Sequence, residues 1–313
     1  MASNTQSDYS TKYSATAQSK ASSGASAVSF IAPSPTDSVT EKSQQRHKPL
    51  FVFLPGMDGS GTLLRPQMDR LAPWFDIRCL MISPKDMTGW EPLAHQVSRL
   101  ISTEIGADTE PKISGSTANF SAPNFSTPKA TQRRRSVYLC GESFGGCLAM
   151  KVLTLSPHLF NRVILVNPAS SFRRLPWMHF GSMVTRQLPN LAYRYSSRGL
   201  APFLVDPFRV ARRDREALET AMGSVPAKVA AWRMALLGRF EVERLPLERM
   251  THPVLLIAGE RDLLLPSKRE AKSLQARFPN AQLTLLPNSG HACLLEKETD
   301  LFKILRQHGF LER

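Results

Sequence analysis

The chain has 313 residues, 42% of them apolar, and a formal net charge of +14. That length supports one sizeable core, and no apolar run approaches the roughly 20 residues needed to span a bilayer as a helix. Four cysteines (Cys79, Cys140, Cys147 and Cys293) form no CxxC pair and follow no secretory signal, which argues for buried thiols in a reducing compartment and against a disulfide scaffold.

Residues 1–46 are rich in Ser, Thr and Ala and lack hydrophobic periodicity. Such a segment cannot bury enough apolar area to offset its ordering entropy, so it reads as a disordered tail. A plastid transit peptide shares this composition, although Asp8, Asp37 and Glu41 dilute the signal. From residue 47 to 313 the chain reads as one domain. PLFVFL (Pro49–Leu54) is a predicted strand that ends in Pro-Gly-Met-Asp-Gly-Ser-Gly. A helix is expected near Leu64–Leu71, a strand over Phe75–Met81 and a helix over Leu93–Ile105, with apolar residues at Leu93, Val97, Leu100 and Ile101.

Residues 106–135 are Ser/Thr/Pro/Asn-rich without periodicity and read as a surface insertion. The strand Ser136–Cys140 and a helix from Phe144 to Ser156 follow, then the strand RVILVN (Arg162–Asn167). Residues 169–250 are helical without clear strands. PVLLIA (Pro253–Ala258), the helix Ser267–Phe278, the strand Gln282–Leu286 and a last helix Thr299–His308 resume the alternation. Continuous apolar strands alternating with helices indicate a mostly parallel central sheet flanked by helices on both faces, an α/β fold. The helical block interrupts the alternation once, so it should lie over the carboxyl ends of the strands as a lid.

The charge surplus is concentrated in that block. Between Ser170 and Met250 there are fourteen Arg and Lys against seven Asp and Glu. A basic surface attracts anionic lipid headgroups or nucleic acid; no nucleic-acid motif is present. A solvated helical surface is the first expectation for most of these arginines, with Arg173, Arg174, Arg212, Arg213 and Arg215 as the candidates for peripheral contact with anionic membrane lipid. The block also carries Phe172, Trp177, Met178, Phe180, Met183, Phe203, Phe208, Trp232, Met234 and Phe240, expected as lid core with some lining an apolar pocket.

One short motif carries chemistry. Gly141-Glu142-Ser143-Phe144-Gly145 falls between a strand and a helix, the setting of a nucleophile elbow. A serine hydroxyl needs an adjacent base, and elbow-bearing folds place the partners in the order Ser, acid, His, each after a separate strand. Asp262 follows Pro253–Ala258, with Glu260 as a rival; His291 follows Gln282–Leu286, with His308 the other histidine beyond Asp262. Taken singly, Asp262 suits a turn or helix cap and His291 a loop-bonding role. Their joint occurrence in the required order favours a triad. Oxyanion donors are expected from the backbone N–H groups of Phe144, at the helix start, and Met57, in the glycine-rich loop, with Asp58 bracing that loop by hydrogen bonds. That loop lacks the Lys and Ser/Thr of a phosphate-binding loop, and the seven histidines form no HxxxH or HExxH pair; neither a metal nor a cofactor is expected.

With these residues in hand, the chain from Pro49 onward resembles the α/β-hydrolase superfamily. FLPGMDGSG, VYLCGESFGGCLAM, RVILVNPASSF, THPVLLIAGERDLLLPSKREAKSL and NSGHACLLE are similar to the hydrolase half of the phytyl ester synthase-like esterase/lipase/thioesterase proteins of plastids and cyanobacteria. The resemblance implies a Ser143–Asp262–His291 triad and hydrophobic acyl substrates: fatty acyl thioesters, galactolipids or esters of phytol. Full-length plant members of that family carry a second, acyltransferase-like domain. No HxxxxD motif occurs here, so hydrolysis of long-chain acyl groups is expected ahead of their transfer to an alcohol. Two other readings share these residues: a ligand receptor on a hydrolase scaffold, and a C–C hydrolase or cofactor-free haloperoxidase. A cytoplasmic location, peripheral to photosynthetic membranes, is expected, with the plastid as the alternative.

Overall fold

The computed structural model describes residues 28–32, 47–106, 135–175 and 201–312, with isolated positions 185, 187, 189, 193 and 199. Seven strands form one sheet: β1 (Val28–Ile31), β2 (Leu50–Leu54), β3 (Asp76–Ile82), β4 (Val137–Glu142), β5 (Arg162–Val166), β6 (Val254–Gly259) and β7 (Ala281–Leu286). Their spatial order is β1-β3-β2-β4-β5-β6-β7. All neighbours are parallel except β1, which pairs antiparallel with β3 at the edge.

Strand β1 corrects the expectation of a wholly disordered tail. Val28 pairs with Ile82 and is buried, while Ser29 is exposed and Phe30 and Ile31 are half-buried. Four residues with one buried side chain give too short a pattern for periodicity to detect. The remainder of the tail, the insertion 107–134 and most of 176–200 lie outside the described residues.

The apolar strands are buried on both sides because alternate residues feed two separate cores. Leu50, Val52 and Leu54 of β2 join Leu139 of β4 and Leu165 of β5 on one face. Phe51 and Phe53 join Tyr138, Ile164 and Ile257 on the other. Each such side chain contributes roughly 1.5–3 kcal/mol by leaving water.

The described helices are α1 (Met68–Leu71), α2 (Trp90–Gly106), α3 (Phe144–Leu155), α4 (Ala201–Leu204), α5 (Arg212–Ser224), α6 (Ala227–Gly238), α7 (Ser267–Gln275) and α8 (Leu301–Gln307). Helix α2 buries Leu93, Val97 and Ile101, the helical spacing read from the sequence. It packs with α3 and α7 on the first core, whereas α8 covers the second through Leu301, Ile304 and Leu305. Helices α4, α5 and α6 belong to the insertion between β5 and β6.

Strand β2 pairs with both β3 and β4, so the chain winds outward in opposite directions from this point. The loops leaving the carboxyl ends of β2 and β4 therefore diverge and leave a crevice, the usual ligand position in such sheets. Those two loops carry Met57 and Ser143.

Candidate active site

Ser143 occupies the junction of β4 and α3 with φ 54° and ψ −114°, a conformation costly for any residue with a side chain. The turn persists because its surroundings over-determine it. The Ser143 N–H donates to Val166 O at 3.0 Å, while Ser143 O accepts from Gly146 and Ala169 at the same distance. Both motif glycines are required by close packing. A Cβ on Gly141 would meet Ala149 Cβ at 2.8 Å, and one on Gly145 would collide with Leu54 O and meet Pro55 O at 2.5 Å. Helix α3 is thereby allowed to press its first turn against the loop after β2. Ser143 itself stays half-exposed at the head of that helix.

His291, in the loop after β7, brings Nε2 to 2.8 Å from Ser143 Oγ. Its Nδ1 lies 2.7 Å from Asp262 Oδ2. An ionised carboxylate only accepts, so Nδ1–H donates to Asp262 and Nε2 is left to accept the Ser143 hydroxyl proton. Asp262 is itself fixed: Oδ1 accepts from the N–H groups of Leu264 and Leu265 at 2.8 and 2.9 Å, and Oδ2 also accepts from the Ser267 hydroxyl.

Burial alone would raise the Asp262 carboxyl, but the imidazolium charge and these hydrogen bonds outweigh it and hold its pKa below the usual value. Burial would likewise depress His291; the Asp262 charge and hydrogen bond reverse this, helped by the Glu142 charge, and raise it. Glu142, beside the serine and buried, is pushed up to about 7 by desolvation against the pull of His291.

The rivals lie elsewhere. Glu260 is ion-paired with Lys268 at 2.5 Å, and His308 bonds Thr284 and Gln282 on the outer edge of the sheet. The loop after β2 runs past Ser143, where a Cβ on Gly56 would be 3.8 Å from Ser143 Cβ. Asp58 braces it by accepting from the N–H of Ser60 at 2.9 Å and from the Ser60 hydroxyl. Neither Met57 N–H nor Phe144 N–H finds a backbone acceptor among the described residues, so both are available to a ligand oxygen.

Sequence reasoning missed two residues that organise this row. Asn167, at the end of β5, is fully buried with φ 41°. Its amide nitrogen donates to Gly290 O at 3.1 Å and His291 O at 2.6 Å, and its oxygen accepts Gly259 N–H at 2.9 Å. One side chain thus ties the ends of three strands. Asn tolerates the left-handed region better than other non-glycine residues, so an Asn closing a strand is a turn signal that could have flagged it. Ser267 had no comparable signal, since a serine opening a helix is ordinarily a cap.

The insertion departs from its expected roles in part. Phe172 and Phe240 are core residues, with Trp232 and Met234 packed against them. Phe203 and Phe208 are instead exposed, at 50% and 87%, and do not pack into the core. Trp177, Met178, Phe180 and Met183 lie outside the described residues. Of the arginines, Arg173 pairs with Glu241, Arg174 with Glu243 and Glu270, and Arg212 with Glu216; Arg215 donates to Pro207 O. These pairs hold individual arginines in place, but Glu216, Glu241 and Glu243 are already among the seven acids of the block, so of these partners only Glu270 offsets its basic surplus.

The strand order, the elbow and the Ser–His–Asp row define an α/β-hydrolase. The family model described as serine aminopeptidase, S33, matches residues 124–298, and the chain belongs to that family. It is 27% identical to phytyl ester synthase 1, chloroplastic, of Arabidopsis thaliana over 85% of this chain and 37% of that protein. The chain thus spans a little over a third of the length of the curated relative it matches there. It is also 30% identical to a pimeloyl-[acyl-carrier protein] methyl ester esterase of Nitrosomonas europaea, over 50% of this chain and 65% of the other. A thermophilic esterase from Thermogutta terrifontis superposes with a TM-score of 0.60 at 17% identity, over 84% of this chain and 89% of that one, a likeness of fold.

Proposed function

We propose that this protein is a serine carboxylic-ester hydrolase that cleaves or transfers long-chain acyl groups through an acyl-enzyme. The observation that carries the reading is the row Asp262–His291–Ser143, with both hydrogen bonds at 2.7–2.8 Å and in the directions catalysis needs. Ser143 Oγ attacks the acyl carbon while His291 Nε2 takes its proton, and Asp262 stabilises the imidazolium. The negative charge that gathers on the acyl oxygen is met by the N–H groups of Met57 and Phe144. His291 returns the proton to the leaving alcohol or thiol. Water, deprotonated by the same imidazole, then attacks the acyl-serine and releases the acid; an alcohol in place of water gives a new ester.

The long-chain preference and the transfer branch rest on likeness to phytyl ester synthase 1, and a plastid location rests on the same relative. Purified protein is expected to label at Ser143 with a fluorophosphonate and to hydrolyse p-nitrophenyl esters with rates rising toward longer acyl chains. Ser143→Ala should abolish both while the fold survives. Retained turnover in that variant would remove Ser143 from the mechanism, and absence of labelling in the parent would favour a receptor on this scaffold. Adding phytol to the assay and analysing products by mass separates hydrolysis from transfer.

Peripheral contact with anionic lipid is a further part of the proposal. Phe203 and Phe208 are exposed in and just after α4, and the exposed Arg212 and Arg213 open the next helix, α5. Aromatic side chains with basic neighbours suit the interfacial zone of a bilayer. Among the described residues, no helix is long and apolar enough to cross a membrane.

A further inference from the structure

Arg233, on α6, belongs to no motif, yet its side chain is among the largest fully buried ones, at 2% exposure. Nη1–H donates to Met57 O at 2.6 Å and Nη2–H to Ser83 O at 3.0 Å. One guanidinium therefore joins the loop after β2 to the loop after β3 from above. No carboxylate lies within ion-pair distance of it among the described residues; Asp58 and Asp86 act on it from further away. Burying a guanidinium without a paired carboxylate is expensive, and an apolar side chain could fill the same volume without that cost. Some property of the planar, two-pronged donor must offset it.

The loop geometry identifies that property. Gly59 N–H donates to Gly56 O at 3.0 Å and closes a tight turn around Met57 and Asp58, while Ile82 N–H donates to Gly59 O at 2.8 Å and staples the turn to β3. The peptide between Gly56 and Met57 is planar and trans, so with Gly56 O directed into the turn, Met57 N–H is directed away from it. The next peptide along carries Met57 O, which Arg233 holds. Both peptide planes flanking the Met57 Cα are thus fixed. Gly59 accommodates the arrangement: its φ is 69°, and a Cβ there would be 2.8 Å from Arg233 Nη1. Neighbouring contacts repeat the tie, with Trp232 Nε1–H donating to Thr88 O at 3.2 Å and Trp90 Nε1–H to Leu236 O at 2.8 Å.

We propose that Arg233 is a positioning residue that aims the Met57 N–H at the substrate oxyanion, so that seating of helix α6 on the sheet completes the oxyanion hole. This rests on the reading of Met57 as an oxyanion donor. The coupling follows from covalent geometry: a displacement of α6 releases Met57 O, and the amide on the other side of that Cα loses its orientation.

The test compares Arg233→Gln, Arg233→Met and Arg233→Lys in the full chain, with active sites counted by fluorophosphonate titration. On a short p-nitrophenyl ester, kcat per titrated site is expected to fall about 10- to 100-fold in the Gln and Met variants, with KM within about twofold. Arg233→Lys, which keeps the charge and one donor, should recover part of the loss. Affinity for a trifluoromethyl ketone, whose adduct places an oxyanion in the hole, should fall in step with kcat. Arg277→Gln is the control: Arg277 also donates to two carbonyls, Val242 O and Leu245 O, and pairs with Glu248, none of which belongs to the Ser143 row or its loops. It should lower thermal stability and leave kcat unchanged. Should Arg233→Gln fail to fold, Arg233→Met and Arg233→Lys carry the test on the same readouts, with the same kcat-only loss expected in the Met variant. Unchanged kcat in Arg233→Met or Arg233→Gln, or a loss confined to KM, would overturn the proposal. If the parent neither turns over esters nor labels at Ser143, it is the hydrolase reading beneath that fails.

Discussion

Asn167→Ala removes three hydrogen bonds at one buried point. The Gly259 N–H and the carbonyls of Gly290 and His291 lose their partner in a site that water reaches poorly. An unsatisfied buried donor costs about 1–3 kcal/mol, and the two carbonyls add to this. Alanine at φ 41° adds roughly 1 kcal/mol, since Asn tolerates the left-handed region better than other non-glycine residues. A solvent molecule entering the vacated volume would return part of the loss. The balance is a destabilisation of about 3–5 kcal/mol, a large share of the 5–15 kcal/mol typical of a domain. Denaturant unfolding followed by tryptophan fluorescence measures it, and kcat on a short ester at low temperature should fall as well, because His291 loses the clamp on its carbonyl. A destabilisation under about 1 kcal/mol, with kcat unchanged, would refute the view that this side chain holds the three strand ends together.

Three further outcomes are expected. Gly145→Ala should cost more than about 3 kcal/mol or yield no folded protein, because the added methyl has only the Leu54 and Pro55 carbonyls to move into; a thermal melt within a few degrees of the parent would contradict this. Ester hydrolysis needs His291 neutral, and Asp262 raises its pKa above the ordinary 6.5, so kcat/KM should rise with pH through an inflection above that value. Glu142 contributes to that raise, so Glu142→Gln should move the inflection to lower pH, and an upward move in the pH–rate profile would reverse the assigned sign. In liposome flotation, the protein should bind vesicles containing anionic lipid in preference to neutral ones, and Phe208→Ala should weaken binding; equal recovery on both vesicle types would remove the electrostatic contribution.

Most of the scaffold was legible because its signals are local. Apolar runs bounded by turn residues marked six of the seven strands, with ends within one or two residues of those observed. The convergence of Ser143, Asp262 and His291 was legible for a different reason: each follows a separate strand, and a parallel sheet brings the carboxyl ends of its strands to one edge. Asn167 and Arg233 were less so. Their importance lies in backbone carbonyls contributed by distant segments, Gly290 and His291 in one case, Met57 and Ser83 in the other, and side-chain-to-backbone bonds leave no pairing pattern in sequence. The bulk count did not show which arginines are paired: Arg173, Arg174 and Arg212 have acidic partners that only folding, or one helical turn, brings alongside, while the net surplus of the block remains. Phe203 and Phe208 were assigned inward by composition, whereas the chain around α4 turns them outward.

All four cysteines are sealed inside the two layers of the sheet, and desolvation lifts every one of these thiols well away from its reactive, ionised form. Oxidants and alkylating reagents find no thiol to attack while the fold holds. Swings in the glutathione balance of its surroundings consequently have no direct grip on this hydrolase, and any cysteine modification that does occur records that the protein has come apart.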